Sequence, residues 1–340
     1  MEWHIYQNKL IKIIGGYYNN EIVDIPFYIF QISKNLFYIP NNDKVLYRRR
    51  IIRKFTGRYV RLKVINSAQI TEEVKRLCIE GNLFLGKDVV DSFKQNLENE
   101  ESDLGKDVLN ILIENAKIAC EKEVPICQDT GMAVFFVKVG QDVRVEGDTL
   151  TEAINKGVSL GYTDGYLRKS VVSPIHRVNT QDNTPAVIHY DMVKGDKIEI
   201  VYAPKGFGSE NMSQLKMLKP SDGLDGIKKF IVDVVSEAGP NPCPPIVVGV
   251  GIGGTVDKCA QIAKKALTRE IGEHNEDPFI ADLEKEMLEA VNNLGIGPQG
   301  LGGRTTALAV NIETFPTHIA GLPVVVNINC HASRHKSVVL

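Results

Sequence analysis

From Ser67 onward, helical and strand signals follow one another in an order that few folds accept. SAQITEEV opens a helix with capping residues and early acids, and two amphipathic stretches follow it, DVVDSFKQNLENE and LGKDVLNILIENAKIACEKE. The beginning is therefore helical. AVFFVKVG then reads as a strand, TLTEAINKGVSLGYTDGYL as a helix, and VIHYDMVKGDKIEIVYAPKG as a hairpin turning at Lys194-Gly195-Asp196. After these come a helix DGIKKFIVDVVSEAG, a strand IVVGVGIGG, helices near 255–270 and 278–293, and strands TALAVNIETF and VVVNIN. Strict βαβ alternation is missing and a hairpin is present. The pattern predicts an α+β fold, a mixed β-sheet flanked by helices and helical at its start, rather than a doubly wound one. With no internal repeat and no Pro/Ser linker after residue 60, residues 60–340 are expected to form one domain.

The first 59 residues are of a different kind. They hold half of the aromatic residues, and residues 1–63 carry 12 Lys/Arg against 4 Asp/Glu. No helical period runs through them, so the expectation is a poorly ordered extension, or upstream sequence translated from a start codon placed too early. A targeting arm fits less well, because Ser is scarce and the basic run from Arg48 to Arg58 lies far from the terminus. Over the whole chain, 43% apolar and 24% charged residues indicate a globular protein, and a net charge of −2 supplies no field for nucleic acid or an anionic membrane. No apolar run approaches 18 residues and no signal-peptide order is present, which predicts a soluble, cytoplasmic chain.

Six cysteines form neither a small disulfide framework nor any CxxC pair. Cys78, Cys120 and Cys259 lie on predicted amphipathic helices and read as small hydrophobes on or near an apolar face. Cys127 in PICQDTG, Cys243 in GPNPCPPIVV and Cys330 in NINCHASRH instead sit at loops or strand ends. Pro242 and Pro244 hold Cys243 stiffly, which suits a ligand. Three such thiols are compatible with a catalytic zinc site, a redox switch or three corners of an iron-sulfur cluster, and thiolate chemistry favours the soft metals.

Two glycine clusters invite a nucleotide reading. Gly249-Val-Gly251-Ile-Gly-Gly254 matches GxGxxG between a strand and a helix, but IGEHNEDPFI follows where a second apolar strand ending in an acid is required. Close backbone packing is the simpler account. GIGPQGLGGRTT lacks the Gly-Lys-Ser/Thr ending of a phosphate loop, although its backbone N–H groups and Arg304 suit a carboxylate.

PICQDTG, YLRKSVV with NTQDNTPAVIH, APKGFGSENMS, NPCPPIVVGVGIGGT, GIGPQGLGGRTTAL and THIAGLPVVVNINCHASRH occur in this order over about residues 60–340. Together they resemble the alpha subunit of two-subunit class I fumarase and L(+)-tartrate dehydratase, a family of iron-sulfur hydro-lyases. The resemblance implies that Cys127, Cys243 and Cys330 ligate a 4Fe-4S cluster whose fourth iron is open to substrate and acts as a Lewis acid. It implies substrate contacts from Gln128, Asp129, Arg168 and Gly208, with Asp129 donating a proton to the departing hydroxyl. His318 in PTHIAG resembles an active-site histidine of the family. The bland alternatives are an Asx-turn for Asp129, a solvated charge for Arg168 and a structural turn for His318. Two departures bear on which diacid is used: Phe207 stands where many relatives have glycine, and Ser173-Pro174 stands for the usual Asp-Pro.

In single-chain relatives a further C-terminal domain carries a proposed proton-abstracting threonine, whereas this sequence ends soon after Cys330. The expectation is a separate beta subunit that completes the active site, in a heterotetramer. Reversible hydration of fumarate to (S)-malate leads, with L(+)-tartrate dehydration as the alternative. Readings of another class are a non-catalytic iron-sulfur module that senses oxygen, and a dinucleotide-binding oxidoreductase.

Overall fold

The computed structural model describes residues 62–340, together with two short hairpins near the N-terminus. In these, β1 (Trp3–Tyr6) pairs with β2 (Lys9–Lys12), and β3 (Gly16–Tyr18) with β4 (Glu21–Val23). The other residues before 62, including the strand-like FYIFQI and the basic run, lie outside the described residues. The chain divides into compact units at Met1–Tyr59 and Val60–Leu340.

The second unit is α+β, as expected, but is built on two mixed four-stranded sheets rather than one. It begins with β5 (Lys63–Asn66), which pairs in parallel with β7 (Val143–Glu146). Three helices follow β5: α1 (Ser67–Leu83), α2 (Lys87–Asn99) and α3 (Asp103–Lys122). Asn66 caps α1 by accepting the Ala68 N–H, and Ser102 caps α3 by accepting that of Gly105.

In the first sheet the order is β14 (Lys336–Val339), β9 (Ile198–Lys205), β6 (Met132–Gly140), β8 (Val187–Val193). The hairpin expected between β8 and β9 does not form. Instead β6 lies between them, parallel to β8 and antiparallel to β9. The Lys194-Gly195-Asp196 turn is real, but it crosses over the end of β6, where Gly140 N–H donates to Lys197 O and Asp142 N–H to Gly195 O. A side chain at Gly140 would collide with Gly195 O at 2.4 Å, so glycine is what lets the crossing close. The physical cause is apolar: five consecutive residues of β6 are buried, and such a strand needs neighbours on both edges.

Alternate residues of β6 and β9 (Ala133, Phe135, Val137, Ile198, Ile200, Tyr202) pack on α1 and on α4 (Leu150–Asp164). A Cβ at Gly157 or Gly161 would meet Val74 at 2.6 Å or Cys78 at 2.7 Å, so these glycines set how closely α1 and α4 approach.

The second sheet has the order β10 (Gln214–Leu218), β13 (Leu322–Asn329), β11 (Ile246–Gly253), β12 (Ala307–Phe315). Helices cover both faces, and the period of two along β11 is visible in what each residue meets. Ile246, Val248 and Val250 face α6 (Gly223–Ala238) and α8 (Pro278–Asn292), whereas Val247 joins α2 and α3. Gly249 and Gly251 lie against the backbone of α7 (Val256–Ala266), where a Cβ would meet Ala263 O or Cys259 O at 2.2 Å. The GxGxxG match is therefore a strand on which a helix packs closely. No helix among the described residues is long and apolar enough to cross a membrane.

Candidate active site at the cysteine loops

The site forms where one end of each sheet converges. PICQDTG connects α3 to β6, the segment 206–213 connects β9 to β10, Cys243 lies two prolines before β11, and Cys330 immediately follows β13. A short helix, α5 (Phe207–Glu210), lies within the second of these segments.

Cys127 and Cys330 are partly buried against Ala116, Ala119, Ile126 and Ala332, while Cys243 is exposed. The Asp129 N–H donates to Cys127 Sγ at 3.4 Å, from two residues on. Cys243 adopts φ +54°, a left-handed conformation that strains a residue with a Cβ. Its carbonyl accepts the His331 N–H at 3.2 Å, which ties the Cys243 loop to the residue after Cys330. Burial raises the Cys330 and Cys243 thiols, and the charge of nearby Cys127 adds to the rise in both. Against this, Arg334 and Lys205 both favour the Cys330 thiolate.

Among the described residues no three Cys, His, Asp or Glu side chains are gathered tightly enough for one metal ion. Three thiols around an iron-sulfur cluster bind three different irons and stand farther apart. The donor set present here, three loop thiols with an N–H···S bond at Cys127 and cations near Cys330, fits such a cluster.

The remaining cysteines separate differently from expectation. Cys78 and Cys259 are fully buried, and burial pushes both thiols up, that of Cys259 to about 11. Cys120, expected near an apolar face, is exposed. It lies toward the solvent side near the C-terminal end of α3, whose buried positions are Gly105, Val108, Leu109, Leu112, Ala116 and Ala119.

Asp129 is fixed on four sides. Oδ1 accepts the Gly131 N–H at 3.0 Å, which is an Asx-turn, and Oδ2 accepts the Phe207 N–H at 2.8 Å. Its carbonyl accepts Arg334 Nη2 at 3.0 Å, and its N–H is the donor to Cys127. Gln128 is exposed beside Cys127, whose Sγ–H donates to Gln128 Oε1 at 3.5 Å. Arg168 is exposed, and its carbonyl accepts Thr130 Oγ1 at 3.1 Å. Gly208 lies open, with Asn241 O at 3.8 Å from where its Cβ would be. Thus Cys127, Gln128, Asp129, Arg168, Gly208, Cys243 and Cys330 share one end of the unit.

His318 does not join them. It precedes β13 whereas Cys330 follows it, and eight residues of extended strand separate the two by roughly 25 Å. There it lines a shallow depression of about 440 Å³ with Phe279, Ile319 and Leu224, and its Nδ1 accepts the Ala320 N–H.

The GIGPQGLGGRTT loop does cradle a carboxylate, but one belonging to the chain itself. Glu100 accepts the N–H groups of Glu101, Ser102, Arg304 and Thr305. Burial opposes its charge, yet these bonds outweigh burial and bring its carboxyl to about 2. The loop in turn supports the cysteine site, since the Gln299 N–H and Nε2 both donate to Pro244 O. Because the folded carboxyl lies below its usual 4.5, the Glu100 contribution, about 3 kcal/mol, is full above that value and is lost as pH falls toward 2. Urea unfolding of the wild type and Glu100→Gln should therefore differ most at neutral pH and converge as pH falls to about 2.

Sequence reasoning missed the support behind PICQDTG. Tyr162 Oη donates to the Thr130 and Gly131 carbonyls and meets Tyr202 Oη at 3.0 Å. Asn82 Nδ2 reaches Tyr202 Oη, and Arg334 Nη1 donates to Asn82 Oδ1. Buried Lys205 donates to Gly206 O and Ser209 Oγ and pairs with Glu210, which also pairs with Lys264. Burial lowers the Lys205 ammonium to about 8, against the pull of Glu210. The lysine was visible in APKGFG and the arginine in HASRH, but only packing reveals that both are buried.

A family model described as fumarate hydratase (Fumerase) matches residues 71–339. The chain belongs to this family. A Methanocaldococcus jannaschii protein provisionally named L(+)-tartrate dehydratase subunit alpha is 47% identical over 272 residues, covering 78% of this chain and 95% of that one. The L(+)-tartrate dehydratase subunit alpha of Escherichia coli K12 is 34% identical over 276 residues, covering 80% and 91%. That of Escherichia coli UTI89 is 35% identical over 270 residues, covering 78% and 89%. Family membership thus extends over the second unit, from within α1 to the end of β14.

Proposed function

We propose that this chain is the cluster-bearing alpha subunit of a 4Fe-4S hydro-lyase acting on a four-carbon dicarboxylate, with reversible hydration of fumarate to (S)-malate as its reaction. The observation that carries the reading is the convergence of Cys127, Cys243 and Cys330, from three separate loops, on the end of the fold that also holds Asp129. These thiolates would hold the cluster, whose open iron supplies Lewis acidity toward the substrate hydroxyl.

The other roles belong to the chain's own side chains. Arg168, exposed beside the Thr130 loop, offers a planar two-pronged donor for a substrate carboxylate. Gln128, exposed beside Cys127, and the open backbone at Gly208 would supply further contacts to the substrate. Asp129, oriented by the Gly131 and Phe207 N–H groups, delivers the proton to the departing hydroxyl and takes it back in the reverse direction. The relatives named as alpha subunits support a separate beta subunit that supplies the opposing base.

A second reading, L(+)-tartrate dehydration to oxaloacetate, is favoured by the names of those same relatives. The two substrates differ by one hydroxyl. Anaerobic co-expression with a cognate beta chain, followed by assays on fumarate, malate and tartrate, separates them. Turnover of malate and fumarate without tartrate supports the first reading, and the converse supports the second. A full iron and sulfide complement without turnover of any of them would leave a non-catalytic iron-sulfur module. Full turnover by the alpha chain alone would refute the two-subunit division.

A further inference from the structure

Among the described residues, Arg334 is a buried cation without a counter-anion. It is 3% exposed and, among the described residues, makes no ion pair with any carboxylate. Its two terminal nitrogens donate to neutral oxygens, Asn82 Oδ1 and Asp129 O, both at 3.0 Å. Its Nε is buried and has no acceptor at all, one of two such side-chain atoms among the described residues. A buried N–H left unmade costs about 1–3 kcal/mol, and an unpaired buried charge costs more.

The other buried cation of the region differs on each count. Lys205 has acceptors in Gly206 O and Ser209 Oγ and a carboxylate partner in Glu210. Arg334 is therefore the group whose electrostatics are unfinished. Its position shows where completion would come from. One end of the guanidinium is bonded to Asp129, whose own N–H is bonded to the Cys127 sulfur. The chain that carries it leaves Cys330 four residues earlier.

We propose that Arg334 is the built-in counter-cation of the iron-sulfur cluster. This rests on the cluster reading given above. Hydrogen bonds and charges at the sulfurs of such clusters set their reduction potential. Arg334 is a positioning residue: it acts on the cluster and, through Asp129 O, on the loop that carries the proposed proton donor. Removing the positive charge makes the cluster harder to reduce and easier to oxidise.

The test uses the full chain reconstituted anaerobically with iron and sulfide. Arg334→Gln is expected to assemble the cluster with a lower midpoint potential and to lose iron faster in air than the wild type. Arg334→Lys, which keeps the charge but not the fork, should fall between the two. An Arg334→Gln protein whose potential and air-loss rate equal those of the wild type overturns the proposal. If Arg334→Gln fails to fold, as judged by circular dichroism, Arg334→Lys decides, and an unchanged potential there overturns it equally. A wild-type chain that takes up no iron or sulfide refutes the cluster reading itself, an outcome separate from any difference between variants.

Discussion

Cys243→Ala is expected to give a folded chain that holds no 4Fe-4S cluster after anaerobic reconstitution, and Cys127→Ala and Cys330→Ala should do the same. Cys243 gives the cleanest version because its side chain is exposed, so alanine removes a sulfur without opening a cavity. Its left-handed backbone persists in the variant, since the Pro240 and His331 bonds to its peptide groups do not involve the thiol. The controls are graded by burial. Cys120→Ala, at an exposed position, should change neither stability nor iron content, and Cys78→Ala and Cys259→Ala should keep the cluster at a packing cost of about 1 kcal/mol. Iron and sulfide per chain and the visible absorbance of the cluster are the measurements. A Cys243→Ala protein with full iron content would sink the three-ligand assignment.

The difference between these two sets of cysteines was legible in the sequence, because Pro, Gly and polar neighbours marked three of them as loop residues. What local sequence conveys less well is which side of a helix faces the core. Cys120 sits one residue beyond buried Ala119 in a helix that is apolar enough nearby to make either orientation plausible on paper. The same limit governs the lost hairpin. Lys194-Gly195-Asp196 does make the turn that its composition predicts, but pairing depends on what competes for the strand edges. The buried run of β6, more than fifty residues earlier, takes both. Long-range competition of this kind leaves no mark on the turn itself.

The glycine clusters show the opposite case, where the motif was real and its occupant local. In Gly249 and Gly251 the missing side chains make room for α7, and in the 297–304 loop the backbone donors hold Glu100. Neither needs an external ligand to explain its glycines. Arg334 and Lys205 were present in quoted motifs, yet nothing in a string of letters distinguishes a buried cation from a solvated one. His318 illustrates the converse: its motif matched, and the strand that follows carries it to the opposite end of the sheet from Cys330.

Asp129→Asn is expected to lower kcat of the assembled enzyme by about 10²–10⁴-fold while the iron content of the chain stays at the wild-type level. The two parts of this expectation separate chemistry from architecture. As an Asx-turn, Asp129 needs only acceptors for the Gly131 and Phe207 N–H groups. Asparagine keeps one acceptor and turns an amide N–H₂ toward the other donor, which leaves one N–H unpaired at about 1–3 kcal/mol. That loss appears in the urea midpoint of the isolated chain, where no substrate or partner is involved. The backbone bonds of residue 129 to Cys127 and Arg334 survive the substitution, so the loop keeps its ties to both. Proton transfer is another matter, because the amide neither donates an acidic proton nor accepts one back. A structural role alone would lower activity only as far as iron content or folded fraction falls. A fall in kcat that exceeds both, with KM changed little, requires that the Asp129 carboxyl act on the substrate. Activity that merely tracks iron content would return Asp129 to the role of a turn residue.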